Sequence, residues 1–164
     1  MNITTQQAAN KKNGIEAEFF FASKLNQKGI PHTFIDDWYD YDVNGYKVEV
    51  KSCQLSHYGS SKNRRCTRVG RFDFTKVESR EKQFNDDIWV CFILRHRYEY
   101  MLLGLCKATK LKKKRYVCLH QLRNLRLISF EDWCKKVLIK KVSSSTEVKG
   151  GKEDDKDEDT KGIV

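Results

Sequence analysis

The chain has 164 residues, 33% of them charged and 39% apolar, with a net charge of +10. That length suits a single domain with a core of its own, without a disulfide scaffold. The sequence has no run of transmembrane length and no signal-peptide pattern, so the expectation is an intracellular protein, cytoplasmic or nucleoid-associated, and not a secreted or membrane one.

The charge is unevenly placed. Residues 143–164 hold four Lys against seven Asp or Glu, which leaves +13 on the rest of the chain. A basic body of this size is the electrostatic footprint of a nucleic-acid binder, and DNA is the expected partner. The six cysteines form no CxxC pair, and the four histidines show no HxH or HExxH spacing, which argues against a zinc site. No Walker A or dinucleotide-binding glycine pattern occurs.

Residues 1–13 are polar and read as loose, or as an extension of the first helix. "GIEAEFFFASKLNQKGI" then predicts an amphipathic helix over about 14–28, with Ile15, Phe19, Ala22 and Leu25 at helical spacing and Phe20 and Phe21 widening the stripe. Gly29 and Pro31 end it. Asn44-Gly45, inside "DWYDYDVNGYKVEVKS", is a strong signal for a two-residue hairpin turn. "CQLSHYGSSKNRRCTRVG" reads as a polar, basic loop of about fifteen residues, longer than compact domains carry without a use. "RFDFTKV" suits a short strand, and "DDIWVCFIL" a central strand buried on both faces. "YEYMLLGLC" pairs with the latter through "RHR", and "KRYVCLHQL" makes a further strand or edge. "SFEDWCKKVLIKKV" predicts a second helix, with Ser129 as N-cap, Asp132 as its capping partner, and Phe130, Trp133, Val137 and Leu138 as its apolar face. The domain is expected over 1–142, followed by a disordered charged tail over 143–164.

The hairpin carries the chemistry. A turn at 44–45 pairs Val43 with Tyr46, Asp42 with Lys47, Tyr41 with Val48 and Asp40 with Glu49. Alternation then puts Tyr39, Tyr41, Val43, Tyr46, Val48 and Val50 on one face. Asp40, Asp42, Lys47, Glu49 and Lys51 share the other. A solvated face with cross-strand ion pairs explains most of this. It does not explain Asp40 opposite Glu49, because like charges directly across a ladder are destabilising. A divalent cation, Mg²⁺ or Mn²⁺, relieves such a pair, and Mg²⁺ is held by one or two carboxylates with waters and phosphate oxygens. Lys51, on the same face, stands where an ammonium could steady a scissile phosphate or help activate the attacking water. Asp42 competes with Asp40 as ligand; Asp40 is preferred because Asp42 has Lys47 as its partner.

The pattern Asp40-x8-Glu49-Val50-Lys51 resembles the PD-(D/E)XK nuclease superfamily, and residues 14–54 are closest in pattern to archaeal Holliday-junction resolvases and small restriction- or homing-type endonucleases. The resemblance implies an α/β, restriction-endonuclease-like fold, a central mixed sheet flanked by helices with an αβββαβ-type core. It implies Asp40, Glu49 and Lys51 as catalytic residues, and Asp40 and Glu49 as metal ligands. Glu18, in "GIEAEFF", matches the glutamate that many members send to the metal from the first helix. Gln54 matches a glutamine that many members carry just after the lysine. The Pro that often precedes the first Asp is absent, and nothing after residue 70 matches a family motif. The implied activity is a Mg²⁺- or Mn²⁺-dependent endodeoxyribonuclease, acting as a homodimer. Lys62, Arg64, Arg65, Arg68 and Arg71 would hold DNA phosphates beside the site, with Lys112, Lys113 and Lys114 as a second cluster. The alternative is a catalytically silent protein of the same fold that binds DNA as a regulator.

Overall fold

The computed structural model describes residues 5–35, 37–61, 64–74, 87–111 and 114–146, with the side chains of 5–7, 9–10, 56–68 and 140–146 left aside. In chain order it runs α1 (Thr5–Gln27), β1 (Thr33–Phe34), β2 (Tyr41–Val43), β3 (Tyr46–Gln54), β4 (Ser56–Ser61), β5 (Arg64–Val69), β6 (Arg71–Asp73), β7 (Trp89–His96) and β8 (Glu99–Lys107). A 3-10 turn (Ala108–Leu111), β9 (Tyr116–Cys118), a 3-10 helix (Leu119–Leu125) and α2 (Phe130–Thr146) complete it. The architecture is mixed α/β. Its main sheet has five strands in the order β1-β2-β3-β7-β8. β3 and β7 pair in parallel and the other neighbours antiparallel, so the sheet is mixed, as expected.

α1 begins at Thr5, well before the expected start near 14. The polar segment is rich in Gln and Ala, which are good helix formers and let the helix propagate backwards. Its end is a Schellman motif. Gly29 is left-handed at φ 63°, the Gly29 N–H donates to the Asn26 carbonyl, and the Ile30 N–H donates to the Leu25 carbonyl. Leu25 and Ile30 are both buried beside each other's turn, the hydrophobic contact that accompanies this cap.

The buried stripe of α1 is Ala17, Phe21 and Leu25; of the expected stripe Phe21 and Leu25 are buried, while Ile15 is 41% and Phe19 71% exposed. Four consecutive residues, Glu18 to Phe21, include three phenylalanines, so spacing alone allows more than one rotation of the helix. Packing selects the one that sets Phe21 against Tyr41, Phe130 and Trp133. Trp133, fully buried on α2, also meets Tyr46 and Trp89. α2 opens as expected: the Ser129 hydroxyl accepts the Asp132 N–H and donates to the Asp132 carboxylate. The helix runs to Thr146, past the expected domain end at 142, and the rest of the expected tail, from 147, lies outside the described residues.

Among the described residues both α-helices pack on one face of the sheet, over Tyr41, Val43, Val48, Val50, Cys91, Ile93 and Leu105. The opposite face is covered by β6, β9 and the 3-10 segments, around Phe72, Val90, Phe92, Leu111, Val117 and Leu122. β7 is therefore buried on both faces, as its unbroken apolar run predicts.

The segment expected to be a loop over 55–71 instead forms a hairpin, β4 with β5, from Ser56↔Val69 to Ser61↔Arg64. Tyr58, Thr67 and Val69 favour extended backbone and outweigh the scattered Gly and Ser that suggested a loop. The hairpin returns to the body at Gly70, whose N–H donates to the Leu55 carbonyl and whose carbonyl accepts the Leu119 N–H. A Cβ on Gly70 would collide with the Gln54 carbonyl, which is backbone and cannot yield. Gly70→Ala is therefore expected to lower stability by about 1–3 kcal/mol, the range for overpacking, read as a reduced denaturant midpoint. An unchanged midpoint would show that this approach is not tight. Among the described residues no helix is long and apolar enough to cross a membrane.

Candidate functional site: a carboxylate cluster at the end of the hairpin ladder

The β2–β3 register is the expected one for three pairs, Val43↔Tyr46, Asp42↔Lys47 and Tyr41↔Val48. The turn has Asn44 at φ 50° and Gly45 at φ 77°, the two positive angles that an Asn-Gly turn of this kind requires. Asp42 closes it: its Oδ1 accepts the Gly45 N–H at 2.8 Å. Lys47 lies over the Trp38 ring at 4.6 Å and over Tyr39 at 5.6 Å. Tyr39 thus joins Lys47 rather than the core face assigned to it by alternation.

The ladder ends one pair short of the expected Asp40–Glu49 match. The Asp40 N–H donates to the Val48 carbonyl at 3.0 Å, and its carboxylate Oδ2 accepts the Val50 N–H at 2.6 Å. The side chain takes the place of a backbone acceptor where the two strands part. That bond holds the Asp40 carboxylate beside β3 and next to Glu49.

Glu49 is 6% exposed and, among the described residues, the one buried charged side chain. It faces the side of the sheet covered by β6 and β9, paired in register with Val90 of β7. A buried carboxylate is costly without a partner. Lys51, two residues on and therefore on the same face, supplies one: its ammonium pairs with Glu49 Oε1.

The two carboxylates feel each other. Burial, then the charge of Glu49, and more weakly that of Glu18, push Asp40 up to about 7, against the opposing pull of the Val50 N–H and Lys51. Glu18 reaches the cluster from α1, half-buried beside the core stripe. Its backbone carbonyl accepts the Tyr41 hydroxyl at 3.1 Å, which ties the helix to β2 at the residue adjoining Asp40. Burial and the carboxylates of Glu18 and Asp40 push the Tyr41 phenol up to about 12, so it stays a donor.

Four of the five expected catalytic residues, Glu18, Asp40, Glu49 and Lys51, are thus electrostatically coupled around one point. Gln54 differs. It is exposed at the end of β3, and alternation turns it to the face opposite Glu49 and Lys51. Among the described residues no three His, Cys, Asp or Glu side chains stand together in metal-holding geometry. The donor set still suits a hard divalent cation. Mg²⁺ needs only one or two carboxylates, and such a charge would offset the repulsion that raises Asp40.

Of the expected DNA contacts, Arg71 is exposed on β6, 3.2 Å from Asp73 and over the Tyr116 ring. Arg64, Arg65 and Arg68 lie on β5, the outer strand of the hairpin that continues directly from β3. Lys62, Lys112 and Lys113 fall outside the described residues, and Lys114 is exposed beside a cavity. Sequence reasoning missed the Trp38–Lys47 contact and the Tyr41–Glu18 tie, because both join segments that no spacing rule connects. No family model matches the chain, nor does any curated protein or solved structure.

The raised Asp40 has a stability consequence. Its carboxyl lies near 3.8 when unperturbed and about 7 in the fold, so the folded chain holds a proton that the unfolded chain releases between those values. This contribution to stability is complete below about pH 4 and is lost as pH rises through 7. Asp40→Asn keeps an acceptor for the Val50 N–H and removes the charge. In EDTA, the variant is expected to match the wild type near pH 4 and to exceed it increasingly towards pH 8, by denaturant unfolding. A wild-type advantage that is constant with pH would mean that Asp40 is not strained by its neighbours.

Proposed function

We propose that the chain is a metal-dependent DNA endonuclease with a restriction-endonuclease-like fold, related to the PD-(D/E)XK nucleases. The observation that carries this reading is the Asp40–Glu49 pair held at the parting of two strands, with Lys51 on the same face and Glu18 approaching from the first helix. A fold without such chemistry gains nothing from a like-charge pair at the edge of a buried layer. The helix, the strand order around a mixed sheet and the crossover from β3 to a parallel β7 are compatible with that fold.

Asp40 and Glu49 would hold Mg²⁺ or Mn²⁺, with Glu18 as a further oxygen donor. Such a cation supplies a nucleophilic water at neutral pH and charge neutralisation at phosphorus. The chain's own groups do the positioning. The Val50 N–H fixes the Asp40 carboxylate, and the covering layer of β6 and β9 limits water around Glu49. Were a cation held by the Glu49 carboxylate, the Lys51 ammonium would be available to a substrate phosphate. The hairpin β4–β5 carries Arg64, Arg65 and Arg68 away from the end of β3, where a duplex lying across the site would pass. A homodimer would bring two such sites to two strands, on a branched junction or at a duplex site.

The test is cleavage of linear duplex, single strand, flap and four-way junction by purified protein with Mg²⁺, Mn²⁺ or EDTA. Cutting is expected with either metal and not with EDTA. Glu49→Ala or Lys51→Ala is expected to lower the rate by on the order of 10²–10³ while DNA affinity stays close to wild type; Lys51→Ala should also lower the thermal midpoint, because it leaves Glu49 buried without its partner. Cutting by Glu49→Ala at the wild-type rate would remove the site assignment. Salt-dependent DNA binding without cutting on any substrate would favour the second reading, a silent DNA-binding protein, to which the Lys51–Glu49 pair lends support because it occupies the carboxylate.

A further inference from the structure

A cavity of about 370 Å³ lies between the two 3-10 segments and β9. Lys110, Lys114, Gln121, Asn124 and Arg126 line it, over a floor of Val117 and Leu125. Its size falls within the roughly 300–1,000 Å³ of small-ligand sites. Among the described residues, three of the lining side chains are cationic, two are amides and none is acidic, which favours an anion.

One of the cations is held in place. The Lys110 ammonium donates to the Leu125 carbonyl at 3.0 Å and to the Arg126 carbonyl at 3.3 Å, which fixes its charge at the wall and leaves one N–H unspent. Arg126 is the C-cap of the 3-10 helix and is left-handed, φ 48° and ψ 62°. Glycine takes that conformation without strain, whereas an arginine there pays in backbone energy and gains a guanidinium at the cavity. Gln121 Oε1 accepts the Cys118 N–H at 3.0 Å, so the amide nitrogen, a pure donor, is its remaining polar group. Val117 is fully buried and Leu125 is 6% exposed, so they close the base of the cavity, and the aliphatic stems of Lys110, Lys114 and Arg126 supply its apolar surface. Donors on such stems suit a molecule with a phosphate at one end and a flat ring at the other.

We propose that this cavity binds a nucleotide unit, its phosphate among Lys110, Lys114 and Arg126 and its base or sugar against the side-chain stems that line it. The unit is either a free mononucleotide or one residue of a nucleic-acid strand; the phosphate chemistry is shared. The site shares no residue with Glu18, Asp40, Glu49 or Lys51; Lys114 is the one residue it has in common with the expected DNA contacts.

Calorimetric and NMR titrations of the full chain in EDTA would use inorganic phosphate, deoxyadenosine monophosphate and a short single-stranded deoxyoligonucleotide. Saturable binding of the mononucleotide is expected, tighter than that of phosphate. Arg126→Gly suits the left-handed backbone, so it should keep or raise the thermal midpoint while weakening the mononucleotide by about tenfold, the loss of one charge-assisted hydrogen bond. Lys110→Gln should weaken it to a similar degree. Glu49→Ala should leave the affinity unchanged, which separates this result from any failure to cut DNA. An oligonucleotide bound at least tenfold more tightly than the mononucleotide, and weakened by Arg126→Gly, identifies the strand as the source; otherwise the free nucleotide is the ligand. No saturable mononucleotide binding, phosphate bound as tightly as the mononucleotide, or wild-type affinity in a folded Arg126→Gly would overturn the proposal.

Discussion

Glu49 is a carboxylate buried in the middle of a strand that has neighbours on both sides and cover on both faces. Much of the structure around β3 answers that one constraint. A charge in such a place is tolerable only with a partner close at hand, and alternation along β3 makes Lys51 the nearest residue able to serve. A second carboxylate is then held beside it, because Asp40 lends its side chain to the Val50 N–H where the ladder gives out. Held there, Asp40 gains affinity for a proton from burial and from Glu49, against the pull of the Val50 N–H.

The two faces of the sheet do different work. One is a deep aromatic core in which Trp133 gathers rings from α1, α2, β3 and β7, and it fixes the angle at which α1 crosses the sheet. That angle brings Glu18 to the end of β2, and Tyr41 locks it there. Among the described residues, the other face is closed by short strands and 3-10 segments. Parallel strands need a long crossover. Between β3 and β7 that crossover carries the basic hairpin β4–β5, whose first strand starts directly after β3 ends. The same thin layer leaves the cavity at Lys110 and Arg126, since 3-10 segments cover less surface than a helix and end in exposed caps.

Local signals were enough for several elements. Asn44-Gly45 dictates a turn whose backbone angles few other pairs adopt, and the three pairs that follow it are forced by register. Gly29 and Pro31 end α1, Ser129 and Asp132 start α2, and the apolar run from Trp89 can be satisfied only between two covered faces. Asp40, Glu49 and Lys51 were legible for the same reason, since turn and period together place them. Where the reading departed from the structure, a local pattern admitted two answers. The phenylalanines of α1 define a broad stripe with no unique centre, and the Gly- and Ser-bearing basic segment holds enough β-formers to pair with itself.

The sequence by itself therefore determined the hairpin, its register, the helix ends and the charged residues of one strand face, because each depends on neighbours within a few positions. Only the tertiary structure decided that Glu49 is buried, that Asp40 caps Val50 instead of completing the ladder, that Glu18 comes near, and that Lys110 and Arg126 share a cavity. Those are meetings of segments far apart in the chain, and their energies come from burial and charge in a packed interior, which no spacing along the sequence contains.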